Sequence, residues 1–349
     1  SYAACGTPAN IVLGWCTSVD NPNRSTWTGT ISTDGADSYH IETKSKSIYF
    51  LDSIELHPQW IVDLGVRWDD YKTQQILTYG RFNNAVTGAN NTPITAVPGD
   101  QLTLENEDDF INYQAGLVFK PRENGSIYIS YATSSNPVGI DGGDGSESIT
   151  VAIENLKPEK VRTMELGTKW DILEDKLNLT AAIFRTEKTN TRSTDADGTT
   201  RNIGETRVDG IELGINGNVT DKWAISAGYT YLDSEIVDDG TATNDGNQVQ
   251  NVPENSATLW TTYQVMPQLT LGAGAVAMDK VYGNATNTKF VPGYVRYDAM
   301  ARYQVNSNVD LQLNVNNLSD TRYFTKAYSS HYATEAEGLS AVLGLHFKY

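Results

Sequence analysis

The sequence has few cysteines, few basic residues and no long hydrophobic run. Every apolar stretch falls short of the roughly 18–20 residues that a membrane-spanning helix requires, which excludes a helical membrane protein. The 26 lysines and arginines are outnumbered by 43 acidic residues, giving a net charge of −17, which argues against a broad nucleic-acid-binding face. Aromatic residues are plentiful: 19 Tyr, 7 Trp and 8 Phe argue against a disordered chain.

The two cysteines, Cys5 and Cys16, are separated by ten residues in a segment rich in Gly, Pro, Asn and Thr. An isolated close pair in an exposed loop is typical of secreted chains, so we predict a Cys5–Cys16 disulfide in an oxidising compartment. The alternative is two unrelated thiols. A zinc site would need more ligands, and the four histidines also lack metal-ligand spacing, so we predict no resident metal.

Apolar and polar residues alternate along most of the chain, which is the pattern of β-strands with one apolar face. In segment 60–68 every even position is apolar, in the order W-V-L-V-W. The same alternation recurs at 111–120, 223–231, 309–316 and 339–349. Helical periodicity is scarce, so the sequence predicts an all-β fold.

The lengths of the predicted connections favour a transmembrane antiparallel β-barrel over a soluble β-sandwich. Tight turns are predicted at 57–59, 121–125, 174–176, 220–222, 267–268 and 306–308. They alternate with long polar connections near 72–107, 135–158, 190–200, 237–251, 282–288 and 325–332. Short turns at one rim and long outward loops at the other are typical of outer-membrane barrels, and a sandwich has no reason to sort its loops this way. Trp60 and Trp68, at the two ends of one strand, match the aromatic girdles of such barrels.

About thirteen strands are predicted from residue 41 to residue 349. An odd number of antiparallel strands cannot close, because the first and last would meet in parallel. We therefore expect residues 41–349 to be the C-terminal part of a 22-stranded barrel, and residues 1–40 to be an extracellular loop. The strand before that loop, on this expectation, belongs to a part of the protein ahead of Ser1.

Several motifs resemble the C-terminal half of TonB-dependent outer-membrane siderophore receptors. These are LKPEK at 156–160, MELGTK at 164–169, GETRVDGIE at 204–212 and NNLSDTRYF at 316–324. A closer likeness, to catecholate receptors of the Fiu type, is carried by GYTYLDSEI at 228–236, NVPE at 251–254, LWTTY at 259–263, VPGYVRYDAM at 291–300 and SHYA at 330–333. The chain departs from the family at 337–340, where EGLS replaces the usual Pro-Gly-Arg-Ser turn.

The resemblance implies uptake rather than catalysis, in the outer membrane of a bacterium. Its transported ligand would be a ferric siderophore, most readily a catecholate, and no covalently bound cofactor is expected. The implied partners are TonB with ExbB/ExbD, acting through an N-terminal plug that these residues do not include, and outer-membrane lipid and lipopolysaccharide. Alternatives are another siderophore class or nutrient, or a passive porin-like barrel. An outer-membrane enzyme and a soluble adhesin are further alternatives.

A ferric tris-catecholate is an anion with flat aromatic arms, so it needs cations and aromatic faces in the outer loops. The candidates are Trp15, Trp27, Arg192, Arg201, Lys280, Tyr282, Lys326, Tyr328, His331 and Tyr332. The last four form one local group, near the C-terminal end of the chain. The competing interpretations are packing within the loops for the tryptophans, ordinary solvation of charge for the cations, and packing in the aromatic girdle for Tyr328 and Tyr332. We predict no catalytic residues.

Overall fold

A computed structural model describes residues 37–80, 83–87, 93–139, 149, 154–194, 200–240, 242–328 and 332–347. The chain divides into two compact units: Ser1–Ile41 with Gln75–Leu104, and Glu42–Gln74 with Glu105–Tyr349. Among the described residues, no helix has the length and apolar character needed to cross a membrane.

All regular structure in the described residues is β-strand. The strands are β1 Ser38–His57, β2 Trp60–Thr78, β3 Asn83–Thr87, β4 Pro93–Ala96, β5 Gln101–Arg122, β6 Gly125–Asn136, β7 Glu159–Ile172, β8 Leu177–Thr194, β9 Thr200–Thr220, β10 Trp223–Asp238, β11 Asn255–Met266, β12 Leu269–Met278, β13 Val281–Tyr282, β14 Phe290–Val291, β15 Tyr294–Asn306, β16 Val309–Asn316, β17 Phe324–Tyr328, β18 Tyr332–Glu335 and β19 Ser340–Phe347.

Thirteen of these strands form one sheet, in the order β1-β2-β5-β6-β7-β8-β9-β10-β11-β12-β15-β16-β19. The registers described from β5 to β19 are all antiparallel between neighbours. The remaining strands pair as three short hairpins, β3–β4, β13–β14 and β17–β18. The predicted count of thirteen sheet strands is therefore confirmed.

Short and long connections alternate along this sheet as predicted. One end, which we call the short-turn end, has connections at 58–59, 123–124, 173–176, 221–222, 267–268 and 307–308. The other, the long-loop end, has connections at 79–100, 137–158, 195–199, 239–254, 279–293 and 317–339. Two predicted connections were too long: 72–107, because β2 continues to Thr78 and β5 begins at Gln101, and 190–200, because β8 continues to Thr194 and β9 begins at Thr200, which leaves only residues 195–199 between them.

Polar contacts account for that extension of β2 and β5 beyond the apolar alternation. Lys72 Nζ lies 3.0 Å from Glu105 Oε2 and 3.5 Å from Glu107 Oε2. The Gln74 side chain also donates to Glu105. Cross-strand pairs of this kind stabilise a sheet where no apolar pair is present.

The sheet has an apolar face and a polar face, as alternation requires. The apolar face carries Met164, Leu166, Ile183 and Ile211, which are 42–54% exposed. Large apolar side chains exposed over a whole sheet face are typical of a surface that meets lipid. Aromatic contacts mark both limits of this face on β2. Trp60 packs on Phe119 near the short-turn end, at 4.5 Å between ring centroids. Eight residues later along β2, Trp68 Nε1 donates a hydrogen bond to Asp109 Oδ2 at 3.3 Å.

On the polar face, aromatic rings lie against glycines of the neighbouring strand. Phe184 covers Gly210, and Tyr128 covers Gly167. A Cβ at either glycine would overlap the ring, so glycine is required there by close approach. Tyr128 is further held by a 2.5 Å hydrogen bond from its hydroxyl to Glu165. These contacts keep large rings against the wall of the sheet.

Candidate functional site

Three long connections contact one another at the long-loop end, and we call them the loop cluster: 239–254, 279–293 and 317–339. Its apolar centre is small. Val281 and Val291, on the β13–β14 hairpin, pack on Ala327 of β17, and all three side chains are buried. Sequence reasoning treated these connections separately, whereas the structure joins them.

Asn251 connects all three connections of the loop cluster by hydrogen bonds. Its Nδ2 donates to Ala327 O at 3.0 Å, and Ala327 N donates back to Asn251 Oδ1 at 3.0 Å. Its backbone N–H donates to Tyr282 O at 2.9 Å. Asn251 has a φ of 57°, a left-handed conformation that asparagine tolerates better than most residues. The side chain thus serves as a substitute strand partner for Ala327.

A second asparagine joins connection 239–254 to connection 279–293. Asn287 Oδ1 accepts the backbone N–H of Gln248 at 2.8 Å, and its Nδ2 donates to Gln248 O at 2.9 Å. Nearby, Asn247 Nδ2 donates to Ala285 O at 2.9 Å. Paired amide contacts of this kind fix the relative position of two irregular segments, whose backbone groups are not paired in a β-sheet.

The candidates Lys280 and Tyr282 lie in this cluster and contact each other. Lys280 Nζ is 3.0 Å from the Tyr282 hydroxyl and 5.0 Å from its ring centroid. The hydrogen bond to Tyr282, together with the carboxylates of Glu254 and Asp279, raises the pKa of Lys280, so its ammonium stays charged at neutral pH. Tyr282 also meets Phe290 edge to face, at 6.4 Å between ring centroids.

The second candidate group lies on the neighbouring β17–β18 hairpin. Lys326 is half-buried on β17, and Tyr328 faces Tyr332 in the register of the hairpin. His331 lies outside the described residues. Ala327 of this hairpin packs on Val281, so the two predicted groups, separate in sequence, belong to one loop cluster.

Arg192 lies elsewhere, at the long-loop end of β8. Its backbone N–H donates to Glu159 Oε1 at 3.3 Å, and its Nη2 donates to Pro137 O at 3.3 Å. Lys188 pairs with the same carboxylate at 2.7 Å. Burial alone would raise the pKa of Glu159, but the hydrogen bonds from Lys188 and Asn136 outweigh it and hold that pKa below the ordinary glutamate value. Two cations thus surround one carboxylate.

The remaining sequence candidates have little or no described geometry. Arg201 pairs with Ser193 across β8 and β9. Four others lie outside the described residues, so the disulfide and the two tryptophan assignments stay predictions: Cys5, Cys16, Trp15 and Trp27.

Sequence reasoning missed a cluster on the polar face, next to the last long connection. Arg296 Nη2 pairs with Asp298 at 2.9 Å, and its Nη1 donates to the Tyr323 hydroxyl at 3.0 Å. The Tyr323 ring packs on Tyr294 at 4.1 Å between centroids. The available signal was the period-two spacing of 294, 296 and 298, which puts two of these polar groups and one tyrosine on one face.

Asn317 fixes the start of the connection that carries Tyr323. It is 1% exposed and has a φ of 54°. Its backbone N–H donates to Asp298 Oδ1 at 2.8 Å, and its side chain bonds both ways with the backbone of Thr321, at 2.9 Å each. Its Nδ2 also donates to Glu337 O at 3.2 Å, which ties the end of the connection to its beginning.

One acidic trio lies where β10 enters connection 239–254: the carboxylates of Asp238, Asp239 and Asp245 approach within 4.8 Å of one another. Each accepts a hydrogen bond within its own loop. Asp239 takes the backbone and side-chain N–H groups of Asn244, and Asp238 takes the Gly240 N–H. These hydrogen bonds explain why the three carboxylates lie together: each caps N–H groups of the same loop.

Chemically, this arrangement is suited to binding rather than to turnover. The loop cluster offers the Lys280 ammonium beside the Tyr282 ring, on segments held by asparagine contacts, at the end of a sheet whose apolar face suits lipid. Cations beside aromatic faces recognise anions that carry flat rings.

Comparisons with known proteins agree with this geometry. Residues 6–318 match the family described as TonB dependent receptor-like, beta-barrel. The chain is similar to the siderophore receptor PiuA of Acinetobacter baumannii, with 52% identity over 100% of this chain and 46% of the relative. It is also similar to the catecholate siderophore receptor Fiu of Escherichia coli K12, with 33% identity over 89% of this chain and 42% of the relative.

Solved structures give the same result. The crystal structure of PiuA superposes with a TM-score of 0.86, covering 97% of this chain and 48% of that one. The closed form of the E. coli ferric-catecholate import receptor Fiu gives a TM-score of 0.77 at 30% identity, covering 95% and 48%. The chain spans about half the length of the relatives it matches. These relatives are transport receptors, not enzymes. The chain belongs to the TonB-dependent receptor β-barrel family, whose members are outer-membrane proteins.

Proposed function

We propose that the protein containing this chain binds a ferric siderophore of the catecholate class at its outer loops and imports it with energy supplied through TonB. The observation that carries the proposal is the loop cluster, which brings Lys280, Tyr282 and the hairpin of Lys326 together at the long-loop end. In outer-membrane barrels the long loops face the outside, where a scarce chelate must be captured.

Within this proposal, charge and ring stacking have separate roles. The Lys280 ammonium, next to the Tyr282 hydroxyl, attracts the negative charge of the chelate. The ring of Tyr282, turned edge-on to Phe290, offers a face to a catechol arm. Iron arrives already enclosed by its chelator, so no protein side chain needs to coordinate it directly.

Energy coupling belongs to parts of the receptor beyond these residues. On the family pattern a plug, contacted by TonB with ExbB/ExbD, would move inside the barrel, and the polar face of this sheet would be its wall. The rings of Tyr128 and Phe184 support this role, because each packs against a glycine of the neighbouring strand in that wall, Gly167 and Gly210 respectively.

The test is a binding panel on the full-length receptor in detergent. Ferric tris-catecholate, ferric hydroxamate and ferric citrate would be titrated while tryptophan fluorescence is recorded. We expect the tris-catecholate to bind at least about tenfold more tightly, a difference of about 1.4 kcal/mol. Lys280→Gln should weaken that binding, whereas Lys222→Gln, the same charge change at the short-turn end, should not.

Other outcomes would change the assignment. Preference for hydroxamate or citrate would keep a siderophore receptor but replace the catecholate class. Uptake that continues undiminished in cells lacking TonB would favour a passive porin-like barrel instead. Equal loss of binding in the Lys280 and Lys222 variants would remove the loop cluster from the ligand site.

A further inference from the structure

The β13–β14 hairpin has one buried face and one open face. Val281 and Val291 lie opposite each other in its register, are 2% and 7% exposed, and pack on Ala327. The next pair in the register, Tyr282 and Phe290, projects from the other face, because neighbouring positions of a strand alternate. The valines thus hold the hairpin on the loop cluster, and the aromatic pair points away from that contact.

Phe290 is 60% exposed, and among the described side chains of the long connections it is the only exposed aromatic one. Its ring meets that of Tyr282 at an angle of 76°, with 6.4 Å between the centroids. Lys280 Nζ contacts the Tyr282 hydroxyl at 3.0 Å. Two rings at nearly a right angle, with an ammonium beside one of them, form an open corner. We call Lys280, Tyr282 and Phe290 the aromatic corner.

Hydrogen bonds within the hairpin loop hold the aromatic corner in place. Gly283 N donates to Lys289 O at 2.9 Å, and Lys289 N donates to Asn284 Oδ1 at 3.0 Å. The Asn284 side chain also donates to Thr288 Oγ1 at 2.8 Å. A ligand that binds here has to order little of the loop, and a preorganised site loses less free energy on association.

Charge alone gives the aromatic corner little power to select one anion over another. The pKa of Lys280 is raised by its hydrogen bond to Tyr282 and further by the carboxylates of Glu254 and Asp279. One ammonium is thus set against two acids, in a chain whose net charge is −17. Because these charges act on every anionic chelate alike, selection between chelates of equal charge has to come from the rings.

We propose that Phe290 is a specificity-determining residue, which selects chelates that carry a flat aryl arm over chelates of the same charge without rings. This role rests on the proposed function, because the ring has no part in selection if the chelate binds elsewhere. One arm would stack on the open face of Phe290 and thereby meet Tyr282 at the angle that the two side chains already have. Offset stacking and edge-to-face contact are the two arrangements that aromatic rings favour. The oxygens of the arm would pair with the Lys280 ammonium.

The test compares two trianionic ferric complexes on the full-length receptor in detergent: a tripodal tris-catecholate, and tris-oxalate, which has no rings. Equilibrium dialysis with radioactive iron gives the affinity for each complex and the ratio of the two. We expect Phe290→Ala to weaken binding of the tris-catecholate about fivefold and to leave the tris-oxalate unchanged, since a ring contact contributes roughly this factor. Phe290→Tyr should retain the selectivity, and Phe290→Leu, which keeps apolar volume without a ring, should lose it.

Two further variants separate this role from charge and from general exposure. Lys280→Gln should weaken both complexes and preserve their ratio, because the ammonium acts on any anion. Leu318→Ala is the matched control: Leu318 is 49% exposed in another long connection, and its truncation should leave both affinities unchanged.

The role of Phe290 is excluded if the unsubstituted receptor prefers the tris-catecholate and Phe290→Ala preserves that preference. It is also excluded if Phe290→Leu is as selective as Phe290→Tyr, or if Phe290→Ala weakens both complexes equally, which would mean that the ring only supports the hairpin. Unchanged hydrogen-exchange protection of the Ala327 amide would establish that the hairpin of Phe290→Ala is folded. If that protection is lost, the leucine and tyrosine variants, which keep a bulky side chain, decide the outcome. An unsubstituted receptor without any preference would instead overturn the catecholate assignment, and the role of Phe290 with it.

Discussion

The side-chain amide of Asn251 and the backbone amide of Ala327 hydrogen-bond to each other in both directions, each at 3.0 Å, across 76 positions of sequence. Ala327 is 5% exposed, so its N–H and C=O have little access to water. This pair therefore holds the β17–β18 hairpin against connection 239–254 without any shared β-ladder.

Replacing Asn251 by alanine should loosen the loop cluster without unfolding the sheet. The change leaves two buried backbone groups without partners, and each such group costs about 1–3 kcal/mol. We expect the Ala327 amide to lose hydrogen-exchange protection, and the receptor to bind its ferric chelate more weakly.

Asn218→Ala is the matched control, since Asn218 is exposed at the short-turn end of β9. It should leave both measurements unchanged. If Ala327 stays protected in Asn251→Ala, the hairpin is held by its apolar contacts alone.

Acid should release the Glu159 contact at the other side of the long-loop end. The pKa of Glu159 is lowered in the folded chain, because the hydrogen bonds from Lys188 and Asn136 outweigh burial. A lowered pKa stabilises the fold fully above the ordinary glutamate value of about 4.3, and this contribution is lost as pH falls through the lower folded value. Protection of the Arg192 amide, which donates to Glu159, should therefore fall as the pH drops below about 4.3.

The comparison for this prediction is Glu159→Gln, which cannot titrate. Its Arg192 amide should show no such step once intrinsic exchange rates are taken into account. A step of the same size in both proteins would assign the acid response to another group.

A third prediction concerns the contact between Phe184 and Gly210. An alanine Cβ at position 210 would overlap the ring, so Gly210→Ala must displace Phe184 from the sheet. Such overpacking typically costs about 1–3 kcal/mol. The midpoint of thermal unfolding, read from the electrophoretic shift of the folded barrel, should fall.

Gly228→Ala provides the control for that measurement, because a Cβ at position 228 would meet its neighbours at 3.5 Å or more. It should leave the midpoint nearly unchanged. Adding Phe184→Leu to Gly210→Ala should restore part of the lost thermal stability. If the Gly210→Ala and Gly228→Ala variants have equal unfolding midpoints, the Phe184 ring is displaced at no cost in stability.

Most of the sheet could be predicted from period-two alternation alone. The pattern at 60–68 locates β2 because lipid on one face and water on the other give each side chain a distinct environment. The pattern fails at the long-loop ends of β2 and β5, where the buried face carries polar residues such as Thr73 and Gln75 in place of an apolar run. There Lys72 and Glu105 continue the ladder as an ion pair, and the strand ends had to be corrected by several residues.

The loop cluster was only partly predictable for a different reason. Lys280, Tyr282 and Lys326 were identified by residue type, but their proximity depends on Asn251 and contacts between connections distant in sequence. No local pattern encodes such contacts. The number of strands outside this chain stays a prediction.

The last prediction tests whether Arg296 stabilises the fold of the final connection. Arg296 bonds both Asp298 and Tyr323, and the Asp298 carboxylate also accepts the Asn317 N–H that begins this connection. Arg296→Gln removes the charged partner of a mostly buried carboxylate, which typically costs about 3–5 kcal/mol. Tyr323→Phe removes one hydrogen bond and should cost only about 1 kcal/mol.

Thermal unfolding of the full-length receptor would compare both variants and their combination. Because the Tyr323 hydroxyl acts through Arg296, its removal should have almost no further effect once Arg296 is replaced, so the two costs should not add. Fully additive costs would show that Tyr323 is stabilised through Tyr294 alone, independently of Arg296. That outcome would limit the Arg296 cluster to a local ion pair with Asp298, without a link to the final connection through Tyr323.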